Sequence, residues 1–193
     1  LLNKDKIEKN VDYILELINH YNELSTDENK TFSNVMSLKP WVGYKLPLEL
    51  NDTKYTSVFT GVVPIVSSVE KLKAAIKEKT DNCYVDLIGS DRDQHYLSII
   101  CLKNEKEEIY EIFKQYGFNQ IVFKDLTGTA AENIVLYEKN ISDISIKKEK
   151  IEAEISNLVN YKNDIQLLHD YLIIERDKCK ILSNMLKTDK TFY

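Results

Sequence analysis

Apolar residues recur along the first flank of the chain at helical spacing. Ile7, Val11, Ile14, Ile18 and Tyr21 step by 4, 3, 4 and 3, the rhythm of a coiled-coil seam, and Leu15 and Leu17 widen the stripe. The pattern predicts a helix from about Asn3 to Leu24. A polar break at Ser25–Asn29 separates it from a shorter helix over Lys30–Lys39, which carries Phe32, Val35, Met36 and Leu38. Pro40 ends that helix, because proline has no N–H to give to the ladder, and Trp41 to Leu50 reads as extended.

The middle of the chain changes period. Tyr55–Val63 is rich in β-formers. Ser67 followed by Glu70 reads as a capping box opening a helix to about Lys79. Cys83–Ile88 and His95–Leu102 are two apolar strands joined by the acidic turn Gly89–Asp93. Asn104 with Glu107 three positions later predicts another helix start, and Gly117 closes that helix. Asn119–Lys124 is a last strand. The order β-α-β-β-α-β predicts an α+β head of the ferredoxin-like, split-βαβ type.

Thr129 with Glu132 forms a further capping box, and nothing in the sequence stops the following helix before Thr188. A helix of roughly 58 residues would run about 87 Å, wider than any small domain, so most of it should project. Its apolar seam runs through Ile134, Tyr137, Ile141, Ile144, Ile151, Ile155 and Leu158. It continues through Ile165, Leu168, Leu172, Cys179, Leu182 and Leu186, with Lys148 and Glu175 at seam positions. A long helix with one apolar stripe needs a partner stripe. The N-terminal helix, lying antiparallel beside the distal half, supplies it. The expected organisation is an ascending coiled-coil helix over 1–39, an α/β lobe with its lead-in segment over 40–128, and a descending coiled-coil helix over 129–193. Head and long antiparallel two-helix coiled-coil stalk follow from that division.

Composition sharpens this picture. Average usage would put about 23 Gly and Pro in a chain this long. There are five Gly and three Pro, all between Pro40 and Gly128, so both flanks lack the residues that punctuate turns. That argues against an all-β sandwich or barrel, a collagen-like chain and a Pro/Gly-rich disordered tail. The net charge of −5 argues against nucleic acid or an anionic membrane face as the main partner. Cys83, Cys101 and Cys179 are odd in number and lack a C-x-x-C pair, the pattern of reduced, mostly buried thiols in the cytosol. No stretch approaches the ~18–20 apolar residues of a membrane helix, and the longest patch, Val58 to Val66, is broken by Thr60, Gly61 and Pro64. Asn29, Asn51 and Asn140 begin N-x-S/T triplets that read as chance. The chain opens on Leu1-Leu2 without Met, which points to a fragment of something longer.

Chemistry-bearing constellations are scarce. His20, His95 and His169 are isolated from each other and from the cysteines, so they form no knuckle or helical metal spacing. Asp86 and the Asp91/Asp93 pair lack the remaining ligands of a calcium loop and read as a solvated turn. Leu126-Thr127-Gly128-Thr129 at a helix start could hold an anion, but no Lys follows as a phosphate loop requires. The strand His95–Leu102 lacks the aromatic motif of RNA-binding relatives of the split-βαβ head. Lys147-Lys148-Glu149-Lys150 and Glu105–Glu108 alternate sign as solvated helix faces do. The expectation is no catalytic, cofactor-binding or metal-ligating residue.

The order of segments carries more information than any single motif. A helix runs into LKPWVGYKLPLELNDTKYTSVFTGVVP (Leu38–Pro64), and Tyr116-Gly117-Phe118 closes the head's second helix. LTGTAAENI (Leu126–Ile134) enters the long helix, which ends in KTDKTFY (Lys187–Tyr193). This resembles the N-terminal cytoplasmic region of the membrane-embedded stator subunit of V/A-type rotary ATPases, called subunit I in bacteria and archaea and subunit a in eukaryotes. Ala130 departs from the pattern, where Pro is expected, and is itself a good early-helix residue.

The resemblance implies the distal lobe plus coiled coil of that region, on the cytoplasmic side of the membrane, with the proximal lobe and the C-terminal membrane domain outside this sequence. It implies a non-catalytic stator element with no cofactor, whose lobe docks the peripheral-stalk E/G heterodimer within Leu46–Asp125. No residue would touch ATP or the transported ion. The competing expectation is a coiled-coil scaffold or regulator whose split-βαβ head senses a small ligand.

Overall fold

The computed structural model of the chain describes residues 4–184. Leu186, the helix end at Thr188, the Lys187–Tyr193 exit segment and the start at Asn3 lie outside the described residues. The chain is mixed α+β and divides into two compact units. One comprises the residues up to Glu28 together with those from Asp143 onward, and the other comprises Asn29–Ser142.

The Asn29–Ser142 unit is built on a four-stranded antiparallel sheet. Its strands are β1 (Thr56–Pro64), β2 (Cys83–Ser90), β3 (Gln94–Leu102) and β4 (Asn119–Ile121), in the order β2-β3-β1-β4. Helix α2 (Val69–Lys77) connects β1 to β2, and α3 (Lys106–Gln115) connects β3 to β4. Successive residues of a strand point to opposite faces, and both faces of β1 are covered, so seven consecutive residues from Ser57 to Val63 are buried. Phe59 and Val63 of β1 join Leu97, Ile99 and Cys101 of β3 in one core, closed by Leu72, Ile76, Ile109 and Phe113 from α2 and α3. Val62 and Tyr96, one residue out of step, face the other side. There they meet Val35 and Leu38 from the end of α1 (Lys4–Leu38), Trp41, Tyr44, Leu48, and Ala130 and Ile134 from the start of α4 (Ala130–Asn157).

Two glycines are required by geometry. A Cβ on Gly61 would overlap the Phe118 ring and stand 2.5 Å from the Asn119 carbonyl oxygen. Gly117, at φ +77°, ends α3: its N–H donates to the Lys114 carbonyl at 2.9 Å, and the Phe118 N–H donates to the Phe113 carbonyl at 3.1 Å. This is a Schellman motif, which satisfies the last carbonyls of a helix.

Several local expectations are corrected. The segment Trp41–Leu50 is not extended. Lys39–Trp41 is a 3₁₀ turn, and further turns close from Tyr44 N–H to the Trp41 carbonyl (2.9 Å) and from Leu50 N–H to the Pro47 carbonyl (3.1 Å). Those turns are what allow Trp41, Tyr44 and Leu48 all to face inward. The cap of α2 is Ser68, whose hydroxyl accepts from the Lys71 N–H at 3.3 Å, because Ser67 donates across to the Tyr116 carbonyl. Asn104 does not cap α3. It sits inside a turn closed by the Glu105 N–H on the Leu102 carbonyl, and the cap residue is Glu105.

In the other unit, the N-terminal part of α1 packs against α4. Leu17, Leu24 and Ile151 are buried together, flanked by Tyr21, Ile144, Ile155 and Leu158. Tyr13 donates to Glu154, the Tyr21 hydroxyl to Glu152 at 2.9 Å, and the Lys148 ammonium to Glu28 at 2.7 Å. Partners descend along α4 as positions ascend along α1, so the helices run antiparallel. Lys148 also stands 4.9 Å above the Tyr21 ring. Its place in the seam is therefore a pairing position.

Three predictions for the helices differ from what forms. The polar stretch Ser25–Asn29 does not break α1, which is continuous from Lys4 to Leu38. The hydroxyls of Thr26 and Ser33 bond back to the carbonyls of Asn22 and Asn29 at 2.9 Å, and Leu24 is anchored in the core. Leu17 rather than Ile18 occupies the seam; Ile18 is 40% exposed. The descending helix is interrupted: α4 stops at Asn157, Val159–Tyr161 is a 3₁₀ turn, and α5 runs Lys162–Asn184. Leu158, at φ −88° and ψ 0°, has left helical geometry while keeping its side chain half-buried against the core. Leu168 is buried, whereas Leu172 and Leu182 are 48% and 59% exposed and Cys179 is exposed.

Candidate functional site

The sheet ends on two strands with one neighbour each, β2 and β4. β4 is only three residues long. β2 has eight residues, pairs with β3 alone and carries an irregularity between Leu87 and Gly89. Between β2 and α2 lies an open cleft of about 470 Å³, lined by Lys73, Ile76, Lys77, Thr80, Asp81, Cys83, Tyr84 and Val85. Ile76 and Val85 are buried and form its apolar floor. Lys73 and Lys77, four residues apart on one face of α2, form one wall. Tyr84 is 62% exposed.

Cys83 borders this cleft. Burial, then the neighbouring Cys101 thiol and Glu105, push its thiol up to about 12. Burial also raises the Cys101 thiol. Thiolates are the reactive form, so neither should react readily near neutral pH. The chain has three cysteines, and Cys179 alone is exposed. Titration of the native protein with an aromatic disulfide reagent should therefore show one fast thiol, with the other two appearing only on unfolding. Cys179→Ser should abolish the fast phase; rapid reaction of Cys83 in the native protein would contradict the assignment.

The residues weighed from sequence fall in separate places. Asp91 is the anchor of the β2–β3 turn: it accepts from the Tyr96 hydroxyl at 2.6 Å and from the N–H groups of Asp93 and Gln94 at 2.8 Å. Those bonds, the tyrosine's foremost, hold its carboxyl below the usual carboxylate range. Its acceptor capacity is spent within the turn. Asp86 is exposed on β2. His95 Nδ1 is 2.6 Å from the Ser90 hydroxyl. His20 lies beside Glu23 on α1 and His169 beside Asp170 on α5, both exposed. Among the described residues, no group of three or more His, Cys, Asp or Glu is placed to hold a metal ion.

The start of α4 is a helix terminus with Gly128 at φ +77°. The Gly128 N–H donates to Glu49 at 2.9 Å and the Thr129 N–H to Glu132 at 2.8 Å, while the Glu132 N–H returns to the Thr129 hydroxyl at 3.3 Å. This is the capping box read from the sequence, with the Glu132 carboxyl held below its ordinary range by the Thr129 N–H and hydroxyl. Two of the chain's own carboxylates already occupy the position an anion would take.

No family model matches the chain, and no curated protein matches it. Among solved structures, the crystal structure of the cytoplasmic N-terminal domain of subunit I, homolog of subunit a, of V-ATPase is similar, with a TM-score of 0.49 and 11% identity. The match covers 76% of this chain and 50% of that one, so the chain spans about half the length of that structure. Among the described residues, no helix is long and apolar enough to cross a membrane.

Sequence reasoning enclosed the β2–α2 cleft within the broad span Leu46–Asp125 without singling out its residues. The available signal was the four-residue spacing of Lys73 and Lys77 beside the apolar strand Cys83–Ile88. Strand order, which makes β2 an edge, is a tertiary property that spacing does not encode.

Proposed function

We propose that this chain is a non-catalytic stator element of a V/A-type rotary ATPase, the cytoplasmic part of its membrane stator subunit. The helical unit serves as a coiled-coil arm and the α/β unit as the distal, ferredoxin-like lobe. The supporting observation is the antiparallel seam of α1 and α4. Its apolar core of Leu17, Leu24 and Ile151 is flanked by three cross-helix pairs, Tyr13–Glu154, Tyr21–Glu152 and Glu28–Lys148. A brace that carries torque must resist bending, and bending this pair would open the packed seam and those pairs together. The segment order from Leu38 to Ile134, in its likeness to subunit I and subunit a, directs the reading to rotary ATPases.

In this role the lobe docks the peripheral-stalk E/G heterodimer through Leu46–Asp125. Calorimetric titration of the intact chain with the E/G pair of the same complex tests it. Saturable binding with one-to-one stoichiometry is expected; absence of binding at micromolar concentrations would sink the reading.

A further inference from the structure

We propose that the open edge of β2, with the cleft it shares with α2, binds an extended acidic segment of another protein by strand addition. An edge strand presents unpaired N–H and C=O groups on its outer side, and natural sheets protect such edges with brevity, Pro, charged side chains (Lys above all) or bulges. β4 is protected by brevity. β2 contains neither Pro nor Lys over its eight residues; its one charge, Asp86, alternates with buried Val85 and so lies on the face away from α2, and the irregularity between Leu87 and Gly89 guards only the far end. Cys83–Leu87 is thus an open template, with exposed Tyr84 and Leu87 offering apolar surface to an added strand.

Charge selects the occupant. Lys73 and Lys77 overhang the cleft, and among the described residues neither stands within ion-pair distance of a carboxylate; Lys73 acts only at longer range, on Glu70 one turn earlier, whereas nearby Lys79 is held by Glu108 at 3.2 Å. Asp81 is the one acid among the lining residues. The cleft is therefore locally cationic on a chain of net charge −5. An added strand turns alternate side chains to the α2 side, so carboxylates at every second position would meet the two ammonium groups. A second copy is the poorer occupant. Pairing β2 with β2 across a two-fold axis normal to the sheet would set the lysine-bearing faces of both α2 helices on the same side, lysine toward lysine.

The inference stands apart from the stator reading, because its probe is a synthetic peptide and no stalk subunit takes part. A capped heptapeptide of alternating Glu and Val is titrated into the intact chain, with a Lys/Val peptide as control. Hydrogen exchange followed by mass spectrometry should show slowed amides confined to Cys83–Leu87. Lys73→Glu with Lys77→Glu, both exposed, should weaken binding by about tenfold or more without changing the far-ultraviolet dichroism. No binding, equal binding of the Lys/Val peptide, unchanged affinity of the double variant, or protection elsewhere would each overturn the proposal. So would a peptide-free dimer in sedimentation that protects the same amides.

Discussion

Gly61→Ala should destabilise the α/β unit by about 3 kcal/mol, the upper part of the range for overpacking a closed core. The new methyl group would have to enter the space of the Phe118 ring and press on the Asn119 carbonyl oxygen at 2.5 Å. A flexible side-chain tip could yield, but neither obstacle is one. Phe118 is 5% exposed and packed edge-on against Phe59 and Tyr110, and Asn119 belongs to β4, paired with Val62 of β1. Relief therefore means displacing β4 from the sheet. Urea unfolding followed through Trp41, the chain's single tryptophan, measures the loss. Phe118→Leu should itself be destabilising, yet combined with Gly61→Ala it should cost less than the sum, since the smaller side chain vacates the contested volume. An unshifted midpoint for Gly61→Ala, or strict additivity in the pair, would refute the close-approach account.

Trp41→Ala should be at least as damaging, about 3–5 kcal/mol, as for other large aromatic truncations in cores. Trp41 is 1% exposed and is the hub of the sheet's second face. Its ring meets Tyr96 and Phe123 edge-on at 5.3 Å and Tyr44 at 6.4 Å. These three partners come from the lead-in turns, from β3 and from the segment after β4, so the cavity would open where distant parts of the unit converge. Trp41→Phe, which retains a ring, should lose clearly less. Because the substitution removes the fluorescent reporter, far-ultraviolet dichroism during urea unfolding is the appropriate measurement. A cost near 1 kcal/mol would mean the second core collapses around the gap, and its role as hub would fall.

The contrast between these two positions shows what a sequence reveals. The β-α-β-β-α-β order was legible because β-rich apolar runs, capping-type residues near the helix starts and the Gly117 stop are local signals, even though both head caps fall one residue later than read, at Ser68 and Glu105. The continuity of α1 through Ser25–Asn29 was not, because Thr26 and Ser33 turn their hydroxyls back to the helix's own carbonyls, where a propensity scale sees only poor helix formers. Leu17 and Ile18 are equally apolar neighbours, and only the position of α4 decides which enters the seam. The interruption at Leu158 went unread because a helical period continues on both sides of it. Of the cleft, the sequence held only the four-residue spacing of Lys73 and Lys77, from which no site was read. That they border an unpaired strand follows from the placement of β3 and β1, which no segment specifies alone.

Lys148 sits where an apolar residue would pack more simply, and its consequence concerns position more than strength. Isoleucines and leucines repeating along two helices could meet again after a slip of one heptad, about 10 Å. Such a slip would carry the Lys148 ammonium away from Glu28 and leave a largely shielded charge without its counter-charge, which is destabilising. We infer that the pair works as a ruler, favouring one alignment of α1 against α4 over others that hydrophobicity alone would accept.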